Sequence, residues 1–177
     1  MKVVGIDASL TGTGLAVSNG FNLKTATERI ESKLKGVDRL IEIREEIREN
    51  IIFADLVVLE DYAFSRTNQA HQIGELGGVL RVLIKEMNKK LLIVGTMQLK
   101  KFATGKANAS KEEIAVAAYK KWGIECRTND ETDAAVLVHI GLAYMGNTDG
   151  LTAYQQEVID ALHGKSEVKK KRKKKGD

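Results

Sequence analysis

Four acidic residues of this chain occupy positions that solubility alone does not explain. Asp7 ends the short apolar run VVGID, and Glu60 ends a second apolar run, DLVVLE. Asp130 and Asp133 are three residues apart, a spacing that returns to the same face of a helix. Several carboxylates brought together repel one another, and hard divalent cations with oxygen ligands relieve that repulsion best. The four residues therefore predict a site for Mg²⁺, with Mn²⁺ as a substitute.

Such a site has a definite chemistry. Two divalent ions about 3.5 to 4 Å apart can activate water and stabilise the leaving oxygen when a phosphodiester is hydrolysed, so we expect two ions per site. Each acid also has a simpler interpretation. An acid at the end of a strand often belongs to a turn, and Asp130 and Asp133 would suit the positive end of a helix dipole.

The elements that must position these acids begin with three strands. Residues 2–7 are apolar and β-branched, residues 15–18 follow a small-residue turn, and a weaker strand covers residues 21–27. Asn19-Gly20 between the last two is a strong hairpin signal. We therefore expect three consecutive antiparallel strands.

Downstream, the apolar pattern alternates between helices and buried strands. Strands are predicted at residues 55–60 and 91–94, and helices at about 37–51, 73–87, 110–123, 130–144 and 152–162. The first helix has the apolar residues Val37, Leu40, Ile41, Ile47 and Ile51, and the second has Ile73, Leu76, Gly77, Leu80, Leu83, Ile84 and Met87. Ser110 and Glu113 have capping-box spacing. The order predicts an α/β domain with a mixed five-stranded sheet, three strands antiparallel and then two parallel, flanked by helices.

This arrangement explains why the two strand acids could meet. If the strands that end at Asp7 and Glu60 run side by side, both carboxylates lie at the carboxyl edge of the sheet, where open α/β sheets bind ligands. In the helix from Asp130, the two aspartates extend the stripe that faces inward.

Charge is distributed unevenly along the chain. Residues 165–177 carry a net charge of +6 and the whole chain carries +4, so residues 1–164 sum to −2. We therefore expect one domain over residues 1–164 and a disordered basic tail over 165–177. The tail is either a solubilising segment or a tether for polyanions.

Composition excludes several classes of protein. Cys126 is the single cysteine, so no internal disulfide forms, and no apolar run approaches the roughly 18 residues of a membrane span. We expect a cytoplasmic protein that does not bind membranes. The sequence also lacks a phosphate-binding G-x-x-x-x-G-K-[ST] loop.

Four segments, in this order, resemble the RuvC family of Holliday junction resolvases, which have an RNase H-like fold. VVGID with the later TGTG resembles the first strand and turn of the family, and VVLE resembles its second acidic strand. QLKKFATGKANASKEEI is similar to its basic segment, and NDETDAAVLV to its D-x-x-D-A helix. Together the four segments span about residues 1–145.

The resemblance implies a role for each matching residue. Asp7, Glu60, Asp130 and Asp133 would be the metal ligands, and Lys100 and Lys111 would contact the scissile phosphate or stabilise developing charge. Lys101 and Lys106 of the same segment are further candidate DNA contacts. In the family an aromatic residue soon after the glutamate wedges into the junction, and Tyr62 or Phe64 could do this here. The lysines could also be solvated surface residues, and either aromatic could be a core residue.

The resemblance further implies a homodimer that cuts four-way DNA junctions into nicks with 5′-phosphate and 3′-hydroxyl ends. A two-fold dimer presents two equivalent sites to the two symmetric strands of a junction. The loop after Asp7 is shorter than in many cellular members and lacks their proline, which favours a divergent member such as a phage-encoded resolvase.

Three alternatives remain on sequence grounds. An RNase H-like nuclease acting on RNA-DNA hybrids or flaps would use the same acids. A catalytically silent protein that binds branched DNA would use the basic tail. An ATPase of the actin and sugar-kinase type also has a Gly/Thr-rich turn after its first strand, but it needs a second lobe for which this chain is too short.

Overall fold

The computed structural model of the protein describes residues 1–18, 25–61 and 70–164, with the backbone only for 70–73. The strands are β1 (Val3–Asp7), β2 (Thr13–Ser18), β3 (Thr25–Ile30), β4 (Leu56–Asp61) and β5 (Lys90–Gly95). The helices are α1 (Gly36–Ile51), α2 (Ala70–Glu86), α3 (Thr96–Thr104), α4 (Lys111–Trp122), α5 (Asn129–Tyr144) and α6 (Ala153–Leu162). None of the helices in the described ranges is long and apolar enough to cross a membrane.

The strands form one mixed sheet in the order β3-β2-β1-β4-β5. β1 pairs antiparallel with β2, and β2 antiparallel with β3. β4 lies parallel to β1 on one side and to β5 on the other. The predicted sheet, three antiparallel strands followed by two parallel ones, is confirmed.

Alternation along the strands divides the core into two layers, because successive strand residues face opposite sides of a sheet. Val3 and Val58 pack with α5 and its neighbouring helices on one side. Val4, Ile6 and Val57 pack with α1 and α2 on the other side. We call these the α5 layer and the α1/α2 layer.

Glycines let α5 lie very close to the sheet. A Cβ at Gly5 would overlap the carbonyl oxygen of Ala134, and one at Gly14 would overlap the backbone of Asp130. From Ala134 to Ala143 the helix is buried on every side. The backbone of α5 is therefore held against β1 and β2 at fixed positions.

Local capping signals were predicted correctly. The Ser110 side chain accepts a hydrogen bond from the Glu113 amide at 3.2 Å, and the Glu113 carboxylate accepts one from the Ser110 amide at 2.9 Å. Gly123, with φ of 65°, ends α4 in the left-handed conformation that glycine adopts without strain.

Three predictions about the elements need correction. In α1 the buried residues are Ile43, Ile47 and Ile51, whereas Val37 and Ile41 are 68% and 52% exposed. Ile47 and Ile51 of the predicted set are confirmed as core residues and Leu40 packs against them, but Val37 and Ile41 are exposed and Ile43 takes their place. The part of β3 that is described begins at residue 25 and runs on to residue 30, beyond the predicted end at 27. The lysine-rich stretch after β5 contains the helix α3, which was not predicted.

Other predictions fall on residues that the structure does not describe. The Asn19-Gly20 turn and the first part of the predicted third strand lie outside the described residues, as do the side chain of Ile73 and the basic tail at 165–177. Of the rest of the predicted α2 stripe, Leu76, Leu80, Leu83 and Ile84 are fully enclosed and Met87, just beyond the end of the helix, is partly buried.

Candidate active site

The two strand acids lie side by side on the α5 layer. Ile6 of β1 is paired with Leu59 of the parallel strand β4. The residues that follow them, Asp7 and Glu60, are therefore also neighbours. Each acid follows a residue of the α1/α2 layer, Ile6 or Leu59, and alternation therefore turns both side chains to the α5 side.

Asp133 comes to the same place from the first turns of α5. One carboxylate oxygen from each of Asp7, Glu60 and Asp133 lies within 4.8 Å of the other two, and all three residues are partly buried. These three residues are the acidic cluster. Its position depends on the close contact of α5 with the sheet, because Gly14 leaves the space in which the start of the helix lies.

The acidic cluster is electrostatically unfavourable without a cation. Burial raises the pKa of Asp7 well above its usual range, and the nearby Glu60 and Asp133 add to this effect. Burial raises the pKa of Asp133 to about 7, with further contributions from Glu60 and Asp130. Perturbation of this size in a group of carboxylates marks a functional site, and a divalent cation is the partner that oxygen ligands at this spacing fit.

Asp130, the fourth predicted acid, lies beside the acidic cluster. Its charge contributes to the raised pKa values of Asp7 and Asp133. Its carboxylate also faces a cation of the sheet, because Oδ2 lies 3.8 Å from Nε of Arg29 on β3. The four predicted acids are thus brought to one end of the sheet, three in the cluster and one between the cluster and an arginine.

The predicted lysines divide into two pairs. Lys111 and Lys100 are close enough to Asp133 to oppose the rise in its pKa. Lys101 instead forms an ion pair with Glu157 at 2.6 Å, and Lys106 forms one with Glu113 at 2.8 Å. The first pair therefore faces the acidic cluster, and the second pair has carboxylate partners in the α3–α4–α6 region.

Two acids that neighbour the predicted ligands have other partners. Asp61 accepts a hydrogen bond from Arg81 at 2.7 Å. Glu131 is 6% exposed and accepts hydrogen bonds from the amide and the hydroxyl of Thr128, both at 2.9 Å, which completes the N-terminal cap of α5. Both carboxylates are therefore engaged away from the acidic cluster.

The candidate wedge residues, Tyr62 and Phe64, lie outside the described residues. The structure also brings a residue to the site that sequence reasoning missed, the cation Arg29. No sequence signal pointed to it, because Arg29 lies beyond the predicted end of the third strand at residue 27. It reaches the site through the register of the β2–β3 pair, which the sequence did not determine.

Comparison with known proteins gives consistent matches. The chain is 30% identical to the crossover junction endodeoxyribonuclease RuvC of Campylobacter lari over 158 residues, which cover 83% of this chain and 97% of that protein. It is 24% identical to the RuvC of Synechococcus sp. over 150 residues, which cover 80% and 97% of the two chains. No protein-family model matches the chain.

Solved structures agree with the sequence relatives. The Thermus thermophilus RuvC structure superposes with a TM-score of 0.67 at 27% identity, covering 82% of this chain and 97% of that one. The same protein in complex with a Holliday junction substrate gives a TM-score of 0.66, also at 27% identity, with 82% and 96% covered. The fowlpox virus Holliday junction resolvase, at 16% identity and a TM-score of 0.50, shares the fold. The RNase H-like fold predicted from the sequence is therefore confirmed.

Proposed function

This chain belongs to the RuvC family of crossover junction endodeoxyribonucleases, and from that premise we propose that it is a structure-selective endonuclease that resolves Holliday junctions. It hydrolyses a phosphodiester in branched DNA with the help of divalent metal. The observation that carries the proposal is the acidic cluster, in which three carboxylates from three separate elements bring their oxygens within 4.8 Å of one another.

Asp7, Glu60, Asp133 and Asp130 are the proposed metal ligands. Mg²⁺ is the proposed ion, with Mn²⁺ as a substitute and two ions per site, because carboxylate oxygens are the donors that these hard cations prefer. When bound, such ions lower the pKa of water and stabilise the charge that develops on the oxygens of the phosphate. The raised pKa values of Asp7 and Asp133 support this assignment, since burial and the neighbouring carboxylates disfavour the ionised forms that a divalent cation would stabilise.

Lys100 and Lys111 have the proposed role of contacting the phosphate that is cut. Both lie near enough to Asp133 to affect its ionisation, and an ammonium group at that position attracts the phosphate backbone. Lys101 and Lys106 are proposed as outer contacts, which DNA would draw away from Glu157 and Glu113. Tyr62 or Phe64 is proposed to stack on a base of the opened junction, since stacking on an aromatic ring does not depend on the base sequence.

The proposed enzyme acts as a homodimer, since two equivalent sites match the two strands that must be cut. The α1/α2 layer supports this, because it leaves an apolar surface uncovered. Val37 and Ile41 of α1 are 68% and 52% exposed, and Val82 of α2 is 57% exposed. These residues lie along one groove between the two helices, which we call the α1–α2 groove. A second copy of the chain is the proposed occupant.

A panel of matched DNA substrates tests the proposal. We expect nicking of a four-way junction in Mg²⁺ or Mn²⁺ to exceed nicking of a flap, a linear duplex and an RNA-DNA hybrid of the same sequence. Asp7→Asn should still bind the junction and should not cut it. Preferential cutting of the hybrid would instead identify a different RNase H-like nuclease, and junction binding without any cutting would identify a DNA-binding protein.

Residues 165–177 are proposed as a tether for DNA outside the nuclease domain, which spans residues 1–164. Their net charge of +6 would contribute contacts with phosphate and no choice of sequence. Deleting them should weaken junction binding and flatten its dependence on salt, while the cutting rate of saturated enzyme stays unchanged. An unaltered salt dependence would show that the tail does not touch DNA.

A further inference from the structure

One row of residues across the sheet links the acidic cluster to a cation. Asp7 of β1 is paired with Gly14 of β2, and Gly14 is paired with Arg29 of β3. Residues directly opposite each other on antiparallel strands face the same side of the sheet. Arg29 therefore faces the α5 layer in the same row as Asp7, and only a glycine separates the two.

The gap at Gly14 is filled by the beginning of α5. A Cβ at Gly14 would overlap the carbonyl group of Asp130, so the helix backbone rests directly on this glycine. Asp130 is thereby placed between the acidic cluster on one side and Arg29 on the other. Its side chain is 24% exposed, and its Oδ2 lies 3.8 Å from Nε of Arg29.

Arg29 is itself held in position. Its Nη2 donates to the carbonyl oxygen of Thr11 at 3.4 Å, and its Nη1 lies 2.6 Å from Glu31. Its guanidinium lies across Gly12, where a Cβ would overlap it. Thr11, Glu31 and Gly12 thus fix the guanidinium. The side chain is 34% exposed, so it is still open to solvent at the edge of the site.

We propose that Arg29 is a positioning residue of the active site: its guanidinium neutralises Asp130 and keeps this carboxylate on the β3 side until divalent metal draws it toward Asp7. The 3.8 Å contact with Asp130 is too long for a hydrogen bond, so it acts through charge and can be exchanged for a stronger cation. This role rests on the proposed metal-binding function of the acidic cluster.

Replacement of Arg29 by metal as the partner of Asp130 has two consequences. In the absence of metal, Arg29 relieves part of the repulsion that the four acids exert on the start of α5. When metal binds, it competes with Arg29 for Asp130, so Arg29 weakens metal binding to the free protein. A guanidinium released from Asp130 then lies at the rim of the site, where a DNA phosphate is its natural partner.

The test is divalent metal binding by the full-length protein without DNA. Calorimetric titration with Mg²⁺ and with Mn²⁺ would compare the unaltered protein with Arg29→Met, which keeps an unbranched side chain without the charge, and with Arg29→Lys, which keeps the charge. We expect Arg29→Met to bind metal on the order of tenfold more tightly, and Arg29→Lys, which keeps the charge, to bind metal less tightly than Arg29→Met. Arg48→Gln on α1, in the opposite layer, removes the same charge away from the site and should leave the affinity unchanged.

Thermal unfolding separates this role from a purely structural one. In EDTA, Arg29→Met should unfold at a lower temperature than the unaltered protein, and saturating Mg²⁺ should abolish the difference. A variant that folds only with Mg²⁺ would support the proposal in the same way. The proposal would be overturned if Arg29→Met lowered the unfolding temperature equally with and without metal, or if the variant stayed unfolded in both conditions.

The metal affinities separate a failure of the role proposed for Arg29 from a failure of the proposed metal site. Equal or weaker metal binding by Arg29→Met, beside measurable binding by the unaltered protein, would overturn the role of Arg29 and leave the metal site intact. If the unaltered protein bound neither ion, the metal site and the role of Arg29 would both be wrong. Loss of metal binding in Asp7→Asn would show that the titration reports on the acidic cluster.

Discussion

The two helical layers of this protein contact the same sheet in different ways. On one side α5 lies against glycines of β1 and β2 and is buried from Ala134 to Ala143. On the other side, α1 and α2 cover the sheet with large aliphatic side chains and leave Val37, Ile41 and Val82 exposed. The acidic cluster lies entirely on the α5 layer. Close backbone contact is thus found where the carboxylates are positioned, and the α1/α2 layer covers the sheet through side chains.

The largest effect is expected when the close contact on the α5 layer is broken. In Gly14→Ala the new Cβ overlaps the backbone of Asp130, so the start of α5 must move away from Asp7 and Glu60. A displacement of about 1 Å in a catalytic group can reduce a rate about 10²-fold. We expect junction cutting at saturating enzyme to fall by at least that factor, and the unfolding free energy to fall by about 1–3 kcal/mol.

The same substitution in the other layer serves as the control for stability. At Gly78 of α2, no heavy atom lies within 4 Å of an added Cβ, and alanine is a better helix former than glycine. Gly78 lines the α1–α2 groove, so both substitutions are compared at a protein concentration at which the chain is monomeric. There Gly78→Ala should keep the unfolding free energy or raise it by about 1 kcal/mol. Similar losses at the two positions would show that the α5 layer is no more tightly fitted than the α1/α2 layer.

The second prediction concerns the exposed surface of the α1/α2 layer. If two copies of the chain meet at the α1–α2 groove, Ile41→Glu places a charge in an apolar interface and should raise the dimer dissociation constant about 30-fold or more. The monomer should unfold at an unchanged temperature, because Ile41 is 52% exposed. Sedimentation velocity over a concentration series measures the constant.

Val116→Glu is the matched control for this prediction. Val116 lies on α4 in the α5 layer and is 53% exposed, so the same change is made at the same exposure away from the groove. We expect the dimer dissociation constant of Val116→Glu to match that of the unaltered protein. A dimer that is weakened by Val116→Glu and not by Ile41→Glu would place the interface elsewhere.

A smaller effect is expected from pH, again on the α5 layer. The pKa of Asp133 is about 7 in the folded protein and 3.8 ordinarily, so the folded state holds this proton more tightly than the unfolded state. The metal-free protein should therefore lose stability as pH rises from about 4 to 7, and the unfolding temperature in EDTA should be higher at pH 5.5 than at pH 8. Saturating Mg²⁺ should remove this loss, because metal binds the deprotonated form.

Asp133→Asn provides the comparison for the pH dependence. The amide cannot ionise, so the advantage of pH 5.5 over pH 8 in EDTA should become smaller. What remains combines Asp7, whose raised pKa favours low pH, with His139, whose burial lowers its pKa to about 4 and favours higher pH. Thermal unfolding followed by circular dichroism measures both proteins. The assignment to Asp133 is contradicted if the two pH profiles are parallel.

The sequence was sufficient where a signal is local or strictly periodic. The Ser110–Glu113 box and Gly123 marked the two ends of α4 because caps depend on neighbouring residues alone. The apolar runs also indicated where Asp7 and Glu60 lie, since each acid directly follows the buried residues near the carboxyl end of its strand. The edge of the sheet that holds the site could therefore be predicted.

Features that depend on tertiary contacts could not be predicted in this way. α1 has apolar residues on more than one face, and packing against α2 and the sheet selected Ile43, Ile47 and Ile51 over Val37 and Ile41. α3 begins after Gly95, where a side chain from within the helix, Gln98, accepts the amide hydrogen bond in place of a capping residue. Arg29 reaches Asp130 only through the β2–β3 register and the close approach of α5.

The smallest effect is expected for a surface ion pair of the α1/α2 layer. Arg48 Nε lies 2.9 Å from Glu45 Oε2 one turn earlier in α1, and the two side chains are 35% and 47% exposed. Water and salt screen such a pair, so Arg48→Gln should lower the unfolding free energy by about 0.5 kcal/mol or less. Urea unfolding in low and high salt measures this, and the difference should shrink as salt is added. A loss above about 1 kcal/mol that persists in high salt would show that charges in this layer contribute to stability as buried groups do. Such a pair would then no longer contrast with Arg29, whose guanidinium lies beside Asp130 and Glu31.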